Sequence, residues 1–262
     1  MFLRSHQPRI LLNRYQHRVF DTHCHIGIRN SFLKSDADLL PIYERAATHG
    51  NVQGLTIVGI DLETSKQCQD IVSRLLKSDQ NNNSKSKLGY SVGLHPHWSN
   101  RYREEFPEMK KMILDATTTT KQEEKEQQPR LVAIGETGLD YFKSRSPIED
   151  QKESLKLHLR LAAETNLPVI IHCRNADRRD RGAHEDLFDI IEAEIDNTNT
   201  HIGGVIHCFS DDLRSIDRVM KLNRKNESQK NPNGKWFVSF CCTLAYPRSH
   251  NLREACQQCD LR

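Results

Sequence analysis

Residues 19–26 read VFDTHCHI, a short apolar run that ends in an acid, two histidines and a cysteine. Side chains alternate between the two faces of a strand, so His23 and His25 point to one side and Cys24 to the other. Two imidazoles separated by one residue can then bind the same metal ion. The stretch therefore predicts a strand whose end carries metal ligands.

The step from histidine to cysteine recurs at His172-Cys173 and at His207-Cys208. If each histidine faces one end of the sheet, each cysteine faces a layer of helices, where a free thiol behaves as a small apolar group. The cysteines are therefore predicted to pack and not to bind metal.

Short apolar runs rich in Val and Ile alternate with longer segments of helical period. Most of these runs are apolar throughout, which is typical of a parallel sheet covered on both faces. Strands are predicted over 18–23, 53–60, 88–94, 130–136, 168–173, 202–208 and 235–241. Helices are predicted near 41–49, 63–77, 105–115, 147–165, 183–195 and 248–259, with another that begins near Ser210. A capping box at Ser146 and Glu149 is expected to open the helix over 147–165.

Repeated βα units predict a parallel sheet, which both a doubly wound sheet and a (β/α)₈ barrel satisfy. The polar residues favour the barrel, because they fall at the C-terminal ends of separate strands, whereas a doubly wound sheet concentrates its site at one switch point. These residues are Asp21, His23, His25, His95, Glu136, His172 and His207. The predicted fold class is an α/β barrel of the TIM (β/α)₈ type.

The chain is predicted to form a single domain over residues 19–262, preceded by a basic extension over residues 1–18. The extension has four arginines and no acidic residue, a composition that also permits a mitochondrial targeting segment. Polar, low-complexity stretches near 81–87, 117–128 and 223–234 are interpreted as surface insertions, since the alternation of strands and helices resumes after each.

The composition is that of a globular protein of 262 residues, 36% hydrophobic and 28% charged. No run approaches the roughly 18 apolar residues of a membrane span, and no secretory signal pattern is present, so neither membrane insertion nor secretion is expected. The eight cysteines are scattered, which is typical of reduced thiols in an intracellular protein. A cytoplasmic or nuclear location is expected, and nothing in the sequence predicts an obligate protein partner.

Five motifs occur in order: FDTHCH at 20–25, GLHPH at 93–97, AIGETGLDY at 133–141, PVIIHCR at 168–174 and GVIHCFS at 204–210. Together they resemble the TatD family of metal-dependent deoxyribonucleases, members of the amidohydrolase superfamily with a TIM-barrel fold. The resemblance runs from about Val19 to the C-terminus outside the three insertions. It implies a hydrolase that cleaves DNA phosphodiester bonds with two divalent metal ions, whether Mg²⁺, Mn²⁺ or Zn²⁺.

Imidazole and carboxylate groups suit a divalent hydrolytic metal, and a carboxylate between two ions can bridge them. The resemblance implies that His23 and His25 hold one ion and that His172 and His207 hold the second. It also implies that Glu136 bridges the two ions.

The resemblance further implies that His95 lies near the scissile phosphate as a catalytic or substrate-binding group. Arg174 closes the PVIIHCR motif, and its guanidinium suits bidentate contact with phosphate, so it is predicted to bind substrate. Arg178, Arg179 and Arg181 alternate with acidic residues and are interpreted as part of a solvated, charged loop.

One feature of the family has no match. Its last metal ligand is an aspartate in a Thr-Asp motif at the end of the eighth strand, and only seven strands are predicted before the sequence NLREACQQCDLR. Asp260 comes too early, in a helical context, to serve as that ligand. We therefore expect a C-terminally incomplete barrel with two unpaired edges. Either the chain is a truncated product or another segment closes the gap. The nuclease activity of the chain is expected to be weakened or absent.

Three alternatives stay open. The first is an amidohydrolase-type enzyme that acts on a small ester or amide, although such enzymes often bridge their metals with a modified lysine where this chain has Glu136. The second is a catalytically impaired barrel that serves as a binding or regulatory module. The third is a zinc finger. Two observations argue against it: Cys241 and Cys242 would point to opposite faces of a strand, and only Cys256 and Cys259 have ligand spacing.

Overall fold

The structure is a computed structural model that describes residues 19–28, 36–48, 50, 52–78, 87–118, 129–176, 182–198, 200–228 and 234–259. Strands and helices alternate through these ranges. The strands are β1 (Val19–Cys24), β2 (Val52–Val58), β3 (Lys87–Val92), β4 (Arg130–Asp140), β5 (Val169–Arg174), β6 (Gly204–His207) and β7 (Trp236–Val238). The helices are α1 (Asp36–Thr48), α2 (Leu62–Ser78), α3 (Tyr102–Thr118), α4 (Ile148–Thr165), α5 (Ala183–Thr198), α6 (Leu213–Ser228) and α7 (His250–Gln258).

The seven strands form one parallel sheet in which they follow one another in sequence order from β1 to β7. Each of the seven predicted strands overlaps an observed one, and a helix follows every strand. This order is that of a barrel wall, since a doubly wound sheet reverses its strand order at the switch point. The predicted α/β barrel-type fold is confirmed.

The sheet is strongly curled. The rings of His23, at the end of β1, and His207, at the end of β6, stack with their centroids 3.5 Å apart. Five strand spacings in a flat sheet would separate these positions by about 24 Å. Among the described residues, β1 and β7 each pair with one neighbouring strand, so the wall is an incomplete barrel with two edges, as predicted.

The core lies between the sheet and the helices around it. Ile57 of β2, Tyr90 of β3 and Ile171 of β5 are fully buried, and α4 packs Leu155 and Leu159 against the sheet. This packing places the C-terminal ends of all strands on one face, where the polar residues collect. No helix in the described ranges has both the length and the apolar character to cross a membrane.

Two local features differ from expectation. The third predicted insertion, over 223–234, is helical in its first part, since α6 continues to Ser228. At this end Asn223 exchanges hydrogen bonds with the backbone of Trp236, and Asn226 donates to the carbonyl of Gly234. The predicted capping box at Ser146 does not form, since Pro147 is the N-cap of α4 and no side chain caps it. The Ser146 hydroxyl instead donates to the carbonyl of His97 at 3.1 Å.

The last strand offers a test of this packing. Trp236 is 1% exposed, and its neighbour Phe237 on the opposite face of β7 is 55% exposed. We expect Trp236→Ala to lower the free energy of unfolding by about 3–5 kcal/mol, because it leaves a large cavity. The matched change Phe237→Ala is expected to alter it by less than about 0.5 kcal/mol. Urea unfolding followed by circular dichroism measures both, and equal effects would contradict the assignment of the two faces.

Candidate metal centre

Glu136 lies buried inside β4 with histidines on both sides. Its Oε2 is 3.4 Å from His23 Nε2 and 3.7 Å from His25 Nε2. Its Oε1 is 3.2 Å from His172 Nδ1 and 3.7 Å from His95 Nε2. The two oxygens of one carboxylate therefore face two separate pairs of imidazoles, which is the geometry that lets a carboxylate bridge two ions.

The first pair is His23 and His25, which belong to the stretch VFDTHCHI at the end of β1. His25 Nδ1 lies 3.0 Å from the carbonyl oxygen of Val58, and because a carbonyl only accepts, Nδ1 carries the hydrogen. The neutral ring then has its lone pair on Nε2, which lies 2.9 Å from His23 Nε2. His23 and His25 thus point to the same side, as strand alternation predicts, and their ring nitrogens converge with Glu136 Oε2.

The second pair is organised by another carboxylate. His172 lies between Glu136 and Asp140, whose Oδ2 is 3.2 Å from His172 Nε2. The same Oδ2 is 3.1 Å from His97 Nε2. Asp140 therefore fixes the orientation of the His172 ring from the side away from Glu136, as carboxylates commonly do for metal-binding histidines.

Burial and neighbouring charges set the protonation of the site. Burial would raise the pKa of Glu136, but the hydrogen bond to His172 and the surrounding histidines hold it below its usual value. Burial alone would lower the pKa of His172, but Asp140 and Glu136 raise it to about 9. Burial lowers the pKa of His23 to about 3. In the protein alone, His172 therefore carries the compensating positive charge, and His23 keeps a free lone pair.

His95 has a different hydrogen-bonding role. The backbone N–H of His97 donates to His95 Nδ1 at 3.1 Å, and burial lowers the pKa of His95 to about 3. A neutral imidazole that accepts at Nδ1 carries its hydrogen on Nε2, which is the atom that faces Glu136. In this arrangement His95 presents an N–H group toward Glu136.

His207 lies at the end of β6, and the structure brings its ring against that of His23. Burial lowers the pKa of His207 below its usual value, so its ring is neutral. The structure does not group its nitrogens with those of His172, and the expectation that these two residues share an ion stays a prediction.

Arg174 ends β5 and is exposed, with its guanidinium 4.2 Å from the centroid of the Phe142 ring. It therefore lies at the rim of the face that carries the histidines. Arg178, Arg179 and Arg181 fall outside the described residues.

The predicted packing of the cysteines that follow a histidine is seen for two of the three. Cys24 packs against the core and its thiol donates to the carbonyl of Thr56, and Cys173 is buried within the core. Cys208 differs, because it follows the end of β6 with a φ of 46° and interacts with the thiol of Cys241. The predicted packing role fails there because strand alternation ends at His207.

Three functional positions were not predicted from the sequence. Asp140 and His97 both lie inside the five motifs, but their contact joins the end of β4 to a segment after β3, and the two residues are 43 positions apart. His158 lies on the apolar side of α4, and this polar residue on a buried face was the available signal.

His158 connects α4 to the residue before His95. Its Nδ1 lies 2.7 Å from the carbonyl of Ser154, and the backbone N–H of Leu94 donates to its Nε2 at 3.2 Å. The ring is completely buried, and burial lowers its pKa to about 4. A neutral His158 therefore holds the start of the GLHPH loop in place.

The side chains present fit a divalent metal. Two groups bring three ligand atoms within 4.8 Å of one another: His23, His25 and Glu136, and His95, Glu136 and His172. Mixed imidazole and carboxylate donors suit Zn²⁺, Mn²⁺ and related ions. Buried His23 Nδ1 has no hydrogen-bond partner in the part of the chain that the structure describes. Among the described residues, each group consists of these three side chains, and neither includes a cysteine.

The fold and the site together define an α/β barrel-type protein with a metal centre at the C-terminal ends of its strands. The chain belongs to the TatD family: the family model described as TatD related DNase matches residues 20–262.

Curated relatives agree with this assignment. The uncharacterized metal-dependent hydrolase YabD of Bacillus subtilis is 29% identical over 210 residues, which are 78% of this chain and 66% of that protein. The 3'-5' ssDNA/RNA exonuclease TatD of Escherichia coli is 32% identical over 164 residues, 63% of this chain and 51% of that protein. The chain thus spans between about half and two thirds of the length of these relatives.

Solved structures share the fold. The TatD homolog YJJV of Escherichia coli superposes with a TM-score of 0.62 at 23% identity, over 94% of this chain and 76% of that one. An uncharacterized amidohydrolase from Saccharomyces cerevisiae gives a TM-score of 0.58 at 18% identity, over 84% of this chain and 67% of that one.

The buried His158 predicts a pH dependence of stability. Its pKa is about 4 in the folded protein, against about 6.5 in the unfolded chain. Between these values the unfolded state binds more protons, so the stabilisation is complete above about pH 6.5 and is lost as the pH falls toward 4. In His158→Gln the slope of unfolding free energy against pH should decrease by up to about 1.4 kcal/mol per pH unit.

Urea unfolding at a series of pH values in this window measures the slope. The control is His250→Gln, which changes an exposed histidine of α7 and should keep the slope of the unmodified protein. Parallel slopes for the protein and His158→Gln would show that His158 is not the group that titrates.

Proposed function

We propose that this protein is a metal-dependent deoxyribonuclease that hydrolyses phosphodiester bonds in DNA. The observation that carries the proposal is the carboxylate of Glu136, whose two oxygens face different histidine pairs at distances of 3.2 to 3.7 Å. Membership of the TatD family and a relative named as a single-stranded DNA and RNA exonuclease support it. The same geometry does not distinguish a nuclease from a hydrolase of small esters, so substrate choice is the point to test.

In this proposal His23 and His25 would hold one ion, His172 and His207 would hold the second, and Glu136 would be shared between the two sites. When bound, two such ions activate a water molecule and neutralise the charge of the phosphoryl group. The neutral rings of His23 and His207 and the ionised Glu136 are in the protonation states that bind metal, and their pKa values already lie below the usual ones. The raised pKa of His172, about 9, means that metal binding there displaces a proton.

The remaining side chains act on the substrate. His95 holds its hydrogen on Nε2 and can donate to a phosphoryl oxygen, which supports its assignment as a catalytic group. Arg174, exposed at the rim, is placed to bind a neighbouring phosphate with its guanidinium. Asp140 and His158 act through other residues: Asp140 positions His172, and His158 positions the backbone that leads into His95.

Cleavage of a labelled single-stranded DNA by purified residues 1–262 tests the proposed function. We expect cleavage that requires Mn²⁺, Mg²⁺ or Zn²⁺ and stops with a chelator. Glu136→Gln and His172→Ala should lower the rate at least about 100-fold, because each removes a ligand of the reacting centre. The matched control His250→Ala should keep the rate.

Cleavage that persists with chelator or in Glu136→Gln would contradict the metal-dependent mechanism. No cleavage even with enzyme in excess of DNA would contradict nuclease function.

Asp140→Asn provides a separate test by metal binding alone. The amide keeps the shape of the side chain but removes the negative charge that orients His172. We expect the affinity for Mn²⁺, measured by isothermal titration calorimetry, to fall by about 10- to 100-fold. Asp150→Asn, which changes a carboxylate paired with Arg103 away from the centre, should bind Mn²⁺ like the unmodified protein. Unchanged affinity in Asp140→Asn would remove Asp140 from the site.

A further inference from the structure

Next to the metal centre, the loop after β4 carries an aromatic and two basic side chains. Residues 142–145 read FKSR, and we call them the rim loop. Phe142, Lys143 and Arg145 are all exposed, and the Phe142 side chain is 45% exposed. A single exposed apolar ring is common on a protein surface, so what surrounds Phe142 decides what it can bind.

The rim loop is fastened to the metal centre on two sides. Asp140 Oδ1 accepts hydrogen bonds from the backbone N–H groups of Phe142, at 2.9 Å, and Lys143, at 2.7 Å. The Ser144 hydroxyl donates to the carbonyl of Pro96 at 2.9 Å, which lies between His95 and His97. The position of Phe142 relative to the centre is therefore fixed by hydrogen bonds and not by the chain alone.

Arg174 reaches the same ring from the neighbouring strand. Its guanidinium stacks 4.2 Å from the centroid of Phe142, and its carbonyl accepts from the backbone N–H of Tyr141 at 2.9 Å. Within the described ranges no carboxylate forms an ion pair with the Arg174 guanidinium. The N–H groups at the edge of this guanidinium stay available for a phosphate while its plane covers part of the ring.

An exposed aromatic ring among basic side chains is the chemistry that binds single-stranded nucleic acid. Unpaired bases stack on aromatic or guanidinium planes, and the basic groups follow the phosphates. Bases in a duplex are stacked on one another, so a fixed ring at the rim can reach only a base that is already unpaired.

We propose that Phe142 is a stacking platform for an unpaired nucleobase beside the metal centre, and that Arg174, Lys143 and Arg145 bind the phosphates next to that base. The proposal rests on the proposed nuclease function and assigns substrate binding to a residue, Phe142, outside the histidine and carboxylate set.

The experiment measures binding without cleavage. Fluorescence anisotropy in the presence of EDTA gives the Kd for a labelled single-stranded oligodeoxythymidylate and for an abasic oligomer with the same number of phosphates. Phe142→Ala should raise the Kd for the thymidylate about tenfold and leave that for the abasic oligomer unchanged, because only the first can stack. Phe142→Trp should restore the affinity. Phe237→Ala, the removal of an equally exposed ring on β7, should have no effect on either probe.

Each other result overturns the platform. Equal Kd values for the thymidylate in the protein and in Phe142→Ala would do so, as would equal losses for both probes or the absence of any binding by the unmodified protein. The cleavage assay keeps the two proposals distinct. Binding with the expected Phe142 dependence but without cleavage would remove the nuclease function alone, whereas metal-dependent cleavage with no Phe142 dependence would remove the platform alone.

Discussion

The buried charge of Glu136 is the constraint on which the rest of the site depends. A carboxylate that is removed from water costs several kcal/mol unless charges and hydrogen bonds compensate it. Here the positive charge of His172, on the adjacent strand β5, lies 3.2 Å away, and imidazoles from β1 and from the segment after β3 face the remaining lone pairs. His23 belongs to β1, three strands from β4 in the sheet order, and it reaches Glu136 because the sheet curls. Barrel curvature therefore completes the set of groups around the ionised carboxylate.

The backbone around Glu136 shows why two glycines flank it. Gly135 and Gly138 have φ values of 137° and 141°, which residues other than glycine rarely adopt. A Cβ at Gly138 would lie 1.9 Å from the carbonyl oxygen of His172, so β4 and β5 approach there too closely for any other residue. The GETG sequence thus brings the carboxylate and His172 together by removing the atoms that would separate their strands.

Much of this could be predicted from the sequence, for identifiable reasons. The wall of parallel strands follows from apolar runs, and the shared side of His23 and His25 follows from strand alternation. The residues around Glu136 could be identified from the sequence because each ends or interrupts an apolar run. Local patterns could not predict contacts between residues far apart in the chain, as between His97 and Asp140, or helix ends set by tertiary hydrogen bonds, as at the end of α6. The alternation of side chains between the two faces also stops where a strand ends, which is why the packing predicted for Cys208 is not observed.

Asp140 shows how the centre and its rim act as one unit. One of its oxygens serves the rings of His97 and His172, and the other accepts two backbone N–H groups of the rim loop, so both oxygens are fully used. The group that orients His172 is thus the same group that sets the backbone position of Phe142. A shift of the His172 ring would be transmitted to the rim loop through a single carboxylate, without a flexible connection between them. The spacing between the histidine cluster and the backbone of Phe142 is for that reason set by hydrogen bonds, which is what the proposed stacking role requires.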